Sequence, residues 1–257
     1  MGSAIIHGAI RAGVLDPERV AVVDPNAEKR AGFAKSFPEA GEGVEWCRAG
    51  DGVIVLAVKP QMLETATEQI RRAVVGGEPL VISILAGTRS SSVLEAMGAG
   101  VRVVRVMPNT PAAIGMGMSA IAKGPGATEQ DLDLSRALFG AIGETVEIDE
   151  SLMDAFTGLA GSGPAYVFYL AEGMLNAARS MGFGEEQAVK IVRQTIAGSG
   201  MLLAGSSELP SELRARVTSK GGTTAAGTGS LDDRGVMNAI ERAIIAARDR
   251  GEELGRQ

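Results

Sequence analysis

The sequence predicts a doubly wound α/β domain followed by an all-helical one. Three observations carry that expectation. Continuous Val/Ile-rich runs, which suit strands buried on both faces, are confined to the first 148 residues. Helix-patterned segments lie between them, and strand-helix-strand alternation implies right-handed crossovers and a parallel sheet. Beyond Ile148 long apolar helical patterns take over. The expected domains are therefore residues 1–148 and 149–257.

Four runs read as strands. Val20–Asp24 ends in Asp-Pro-Asn, Gly52–Val58 in Lys59-Pro60, Leu80–Leu85 in Ala86-Gly87 and Val101–Met107 in Pro108. Between them Ala27–Phe37, Met62–Val74 and Ser91–Met97 carry helical patterns. Ligands of open α/β sheets bind outside the carboxyl ends of the strands, so Ala57–Pro60, Leu85–Gly87 and Pro108–Thr110 should line one rim. Taken singly, each also reads as ordinary strand-to-helix turn chemistry. In the second part Asp149–Leu159, Ala165–Met181, Glu185–Ala204 and Val236–Leu254 read as helices. Ala171, Gly173, Ala177, Ala178, Gly198 and Gly200 allow close helix packing. Helices this apolar are too hydrophobic for a monomer surface.

Composition excludes several classes. Twenty-five basic against 31 acidic residues provide no basic block to neutralise phosphates, so a nucleic-acid partner is not expected. The single cysteine, Cys47, rules out an internal disulfide and a cysteine-rich metal site. The single histidine, His7, argues against a His-based metal site and a Ser-His-Asp triad, and reads as a side chain of the first helix. No apolar run approaches the ~20 residues of a membrane span. The start lacks a basic signal-peptide region. A soluble cytoplasmic protein without metal or membrane partner is expected.

The stretch Val217-Thr218-Ser219-Lys220-Gly221-Gly222-Thr223-Thr224 holds the densest chemical signal. Adjacent glycines let backbone approach a ligand closely, and freed N–H groups at such a turn can seat a carboxylate. Thr224 can hold a hydroxyl over the same place. The alternative is a glycine turn between two helices, with threonines as caps. The run resembles the signature of pyrroline-5-carboxylate reductases, Pro-x-x-Leu-x-x-x-Val-Thr-Ser-x-Gly-Gly-x-Thr, through Pro210, Leu213, Val217, Thr218, Ser219, Gly221, Gly222 and Thr224. Ala57-Val58-Lys59-Pro60, Met107-Pro108-Asn109-Thr110-Pro111 and Gly158–Tyr166 extend the resemblance along the chain.

The beginning departs from that family. A Rossmann-like domain opens with a strand and Gly-x-Gly-x-x-Gly, whereas this chain opens Met1-Gly2-Ser3-Ala4-Ile5-Ile6. In the family's register Gly2 is the third glycine, and the first strand and first two glycines are absent. Asp24 lies 22 positions after Gly2, near the distance of about 20 expected for the ribose-binding acid. It reads equally as part of an Asp-Pro-Asn turn that caps the next helix.

The resemblance implies reduction of 1-pyrroline-5-carboxylate, a cyclic imino acid, to L-proline by hydride from NADPH or NADH, the last step of proline synthesis. It makes Thr224 the catalytic hydroxyl partner of the ring nitrogen. Ser219, Gly221, Gly222 and Thr223 hold the substrate with it. Gly2, Asp24, Ala57, Val58, Lys59, Pro60, Leu85, Ala86 and Asn109 contact the cofactor, and the helical domain builds a homodimer or a higher oligomer of dimers. Asp24 favours NADH by repelling a 2′-phosphate, while Lys29 and Arg30 favour NADPH. Lys220, Leu209 and Asn176 stand where the family often has proline, histidine and aspartate. Two alternatives stay open: a related reductase of this architecture that uses a lysine such as Lys190 as acid/base, and a shortened homologue that dimerises but is catalytically impaired.

Overall fold

The computed structural model describes residues 1–48, 52–74, 77–98 and 100–255. They divide into two compact units, Met1–Ser162 with Ala246–Gln257, and Gly163–Ile245. The last strand ends at Glu147, beside the expected boundary, and the units part further along the chain.

In the α/β unit, β3 (Ile54–Leu56), β4 (Leu80–Ser83), β5 (Arg102–Pro108), β6 (Gly117–Lys123) and β7 (Gly143–Glu147) form one sheet in that order. The central strands are buried on both faces because successive residues point to opposite sides. Ile82 and Val104 face a core built with Ile5 of α1 (Gly2–Arg11) and Leu138 and Phe139 of α6 (Glu129–Gly140). Val81 and Val103 face another built with Ile70 of α4 (Leu63–Ala73) and Val93 and Met97 of α5 (Ser90–Met97). His7 lies on α1, stacked on Phe33 with ring centroids 5.2 Å apart.

Three features correct the expectations. First, β5 and β6 are antiparallel in an otherwise parallel sheet. Only residues 109–116 join them, which is too short for a crossover. Second, the helix expected over Ala27–Phe37 stops early. α2 covers Ala27–Arg30, and β2 (Lys35–Phe37) then pairs in parallel with β1 (Ala21–Val23). Gly32 takes φ +91, and Pro38 pushes Phe37 toward extended backbone. Third, the edge strands are not buried on both faces. Among the described residues β1 pairs only with β2 and β3 only with β4. Val23 and Val55 are accordingly 41% and 37% exposed. A cavity of about 490 Å³ lies beside β3, lined by Val44 and Cys47 of α3 (Ala40–Arg48) and by Gln130 and Leu134 of α6. Leu80, which begins β4, and Arg102, which begins β5, line it too, so the cavity lies at the amino ends of these strands.

α3, α6, β6 and β7 lay outside the sequence reading. The start of α6 is set by a capping box, in which Thr128 and Asp131 satisfy each other's backbone N–H. Asp131 also takes a bidentate pair of hydrogen bonds from Arg102, 2.9 and 3.0 Å long. Burial opposes its charge, but the bonds from Arg102 and Thr128 win and hold its carboxyl below the ordinary value.

The second unit contains α8 (Gly163–Ser180), α9 (Glu185–Ala204), α10 (Pro210–Arg216), α11 (Thr223–Asp233) and the first turns of α12 (Val236–Leu254). The Gly161–Pro164 segment follows a π-helical turn, Thr157–Gly161, and starts α8. Among the described residues no helix is long and apolar enough to cross a membrane, and no cluster of His, Cys, Asp or Glu is placed to hold a metal ion.

Candidate functional site

The carboxyl ends of the parallel strands gather the expected rim in the α/β unit. Ala57–Pro60 follow β3, Leu85–Gly87 follow β4, and Asn109 follows β5. The ladder continues past the strands through Ile84 N–H to Leu56 O at 3.1 Å, which sets the first two loops side by side. Gly2 joins them. A Cβ there would stand 3.2 Å from that of Ala57, so the start of α1 and the loop after β3 meet with no room for a larger side chain. No side chain caps α1, which leaves its first N–H groups to an anion. This cradle fits a dinucleotide pyrophosphate.

The rim residues differ in what they can offer. Val58, Lys59, Pro60 and Ala86 are exposed. Leu85 is buried within the core, so only its backbone faces a ligand. Asn109 is almost fully buried and its amide already serves the fold. It accepts from Met118 N–H at 2.9 Å and donates to Ala160 O at 3.0 Å, which leaves one donor hydrogen for a cofactor.

Asp24 directly follows β1 and takes part in the Asp-Pro-Asn turn. Its Oδ1 accepts from Asn26 N–H at 2.9 Å, and Asn26 rather than Asp24 caps α2, through Glu28 N–H. Its Oδ2 stays available, 3.6 Å from Lys29 Nζ. The Arg30 guanidinium donates to the backbone carbonyls of Asp24 and Pro25. Two cations therefore crowd the acid that would otherwise repel a phosphate.

In the helical unit the Val217–Thr224 stretch forms the connection from α10 to α11. Pro210 begins α10 at a position that needs no N–H, and Leu209 N–H is taken by Glu212 at 2.7 Å. After α10, Gly222 N–H closes a turn onto Ser219 O at 3.0 Å. Gly221 has φ +75, a conformation glycine adopts freely. Gly222 is the N-cap of α11, and no side chain caps that helix. Any Cβ on Gly222 would strike Ser219 Oγ. The result is an open helix N-terminus with Ser219 and Thr223 exposed beside it and Thr224 half-buried in its first turn. Lys220, where the family often has proline, is exposed.

Arg105 escaped the sequence reading. It is a buried cation inside an apolar strand, with Glu150 at 3.2 Å and Asp154 at 3.8 Å as partners. An arginine within Val101–Met107 was itself the signal, since a buried charge demands a counter-charge.

Known proteins align with both halves of the chain. A family model described as pyrroline-5-carboxylate reductase dimerisation matches residues 150–254. One described as NADP oxidoreductase, coenzyme F420-dependent, matches residues 1–87. The pyrroline-5-carboxylate reductase of Methanosarcina acetivorans is 38% identical over 263 residues, covering 100% of this chain and 95% of the relative. That of Pisum sativum is 34% identical over 255 residues, covering 99% and 92%. The crystal structure of Plasmodium falciparum pyrroline carboxylate reductase with NADP bound superposes with a TM-score of 0.87 at 29% identity, over 99% of this chain and 94% of the other. The Coxiella burnetii pyrroline-5-carboxylate reductase gives 0.89 at 28% identity, over 98% and 94%.

Proposed function

The chain belongs to the pyrroline-5-carboxylate reductase family, and we propose from that premise that it is an NAD(P)H-dependent oxidoreductase that reduces 1-pyrroline-5-carboxylate to L-proline, the last step of proline synthesis. The observation that carries the reading is the uncapped start of α11, with left-handed Gly221 before it and Thr224 in its first turn. The N–H groups there, with Ser219, Gly221, Gly222 and Thr223, hold the substrate carboxylate. The Thr224 hydroxyl pairs with the ring nitrogen, which must gain a proton as the imine carbon is reduced. The cofactor, when bound, supplies the hydride. Its pyrophosphate lies at Gly2 and the start of α1, its ribose at Asp24, and Ala57, Val58, Lys59, Pro60, Leu85, Ala86 and Asn109 line the rest. Such a reaction needs positioning and electrostatics rather than a strong nucleophile, in keeping with the lack of His and Cys at these positions.

Residues 1–148 act as the dinucleotide domain and residues 149–257 as the dimerisation and substrate domain. The protein works in the cytoplasm as a homodimer or an oligomer of dimers. The ion pair of Lys29 with Asp24 supports NADPH over NADH, because it offsets the charge that would meet a 2′-phosphate. Thr224→Ala tests the central assignment. It should lower turnover of pyrroline-5-carboxylate on the order of 10²-fold while NADPH binding stays nearly intact. Wild-type turnover in that variant would reject it.

A further inference from the structure

The loop after β4 is gripped at two points by segments far away in the sequence, all within the α/β unit. At its far end Ser90, the first residue of α5, donates from N–H and Oγ to the two carboxylate oxygens of Glu150, at 2.7 and 2.5 Å. Arg105 fixes Glu150 from the buried side. In its middle Gly87, at φ +69, lies against the last turn of α12. A Cβ on Gly87 would meet Leu254 Cβ at 3.4 Å, and a Cβ on Gly255 would stand 2.8 Å from the Gly87 carbonyl oxygen. Two backbones therefore touch through glycines on both sides. Gly251, one turn earlier, is buried beside Asp154. Ala86 is exposed at the rim, held between buried Leu85 and the gripped Gly87.

The gripping residues Glu150, Gly251 and Leu254 come from the stretch that matches the dimerisation family. The gripped loop ends the stretch that matches the NADP oxidoreductase family. We propose that Gly255 and Gly251, by seating the last turn of α12 on Gly87, are positioning residues that hold the Leu85–Gly87 loop in the shape that receives the dinucleotide. The inference rests on the reading of Leu85 and Ala86 as cofactor contacts. Dinucleotide affinity then depends on the end of α12.

The test is Gly255→Ala in the full chain, where the new methyl forces Gly87 to move. Amide hydrogen exchange over residues 85–90 should accelerate. The NADPH dissociation constant should rise roughly fivefold to tenfold. The KM for pyrroline-5-carboxylate should stay within about twofold, which a general loss of fold would not allow. Gly251→Leu, whose side chain extends past the Cβ position already in contact with Asp154 at 3.4 Å, should lift the same turn and carries the test if Gly255→Ala lowers the melting temperature. Gly140→Ala, with open space around its Cβ, should do neither. Unchanged exchange over residues 85–90 in both variants overturns the grip. Faster exchange with unchanged NADPH binding overturns instead the assignment of Leu85 and Ala86 to the cofactor, and the positioning role with it.

Discussion

The two compact units treat apolar surface in opposite ways. In the α/β unit β4 is buried along its whole length, and Val81, Ile82, Val103 and Val104 are sealed between two helix layers. In the helical unit only Ala178, Ala188 and Val192 are buried apolar residues, while Phe168 and Tyr169 are 63% and 79% exposed. Several glycines show the contrast too. Gly8 and Gly117 sit where a Cβ would collide with neighbours, whereas Gly173, Gly198, Gly200, Gly227 and Gly229 face open space. Small residues in helices permit close packing only if something packs there. One unit completes its core from its own chain, and the other leaves large apolar residues exposed, the surface that the proposed dimer would cover.

Breaking that proposed interface should give the largest effect. A buried aromatic anchor of an interface is typically worth about 2–4 kcal/mol, so Phe168→Glu should weaken the dimer on the order of 10²-fold or more. Sedimentation equilibrium would read it, with the α/β unit still folded. A wild-type dimer constant in that variant would place the interface elsewhere.

The same contrast explains what the sequence made legible. The strands Leu80–Ser83 and Arg102–Pro108 stood out because burial on both faces leaves an unbroken apolar run. The helices α8, α9 and α12 stood out by length. The glycine turn within Val217–Thr224 was readable because its glycines and hydroxyls are adjacent in the chain. Elements built from mixed residues were not readable. β7, Gly143–Glu147, has exposed glutamates, and α2 is too short to show a period. Partnerships across long separations were hidden as well: Ser90 with Glu150, Gly87 with Gly255, and the double duty of Asn109. Those depend on where chain segments meet, which no local pattern encodes.

Cofactor choice gives a smaller effect and sharpens the reading of Asp24. Replacing Lys29 with glutamate removes the cation 3.6 Å from Asp24 Oδ2 and adds a second acid. The ratio of NADPH to NADH affinity should fall roughly tenfold, as one lost charge contact to a phosphate is worth about 1–2 kcal/mol. An unchanged ratio would leave Arg30 or the main chain as the determinant.

The smallest effect compares two ion pairs, one in each unit. Asp131, buried beneath Arg102, and Glu185, exposed beside Arg179, both have carboxyls held below their ordinary values. At Asp131 burial pushes upward and the bonds from Arg102 and Thr128 overcome it, whereas at Glu185 the Arg179 hydrogen bond leads. A carboxyl whose folded value is lowered contributes stability that is present above its unfolded value. That contribution is lost as the pH falls through the folded value. Asp131→Asn should therefore destabilise the α/β unit by roughly 1–2 kcal/mol at pH 7, and the difference from wild type should shrink below about pH 4. Glu185→Gln should be nearly silent at either pH, because water and salt screen the exposed pair. The single tryptophan, Trp46, lies in α3 and reports the α/β unit alone. Its fluorescence during urea unfolding at pH 7 and pH 3 reads Asp131→Asn, and far-UV circular dichroism, which follows the helical unit as well, reads Glu185→Gln. A pH-independent loss in Asp131→Asn would show that the charge of Asp131 is not what stabilises the α/β unit.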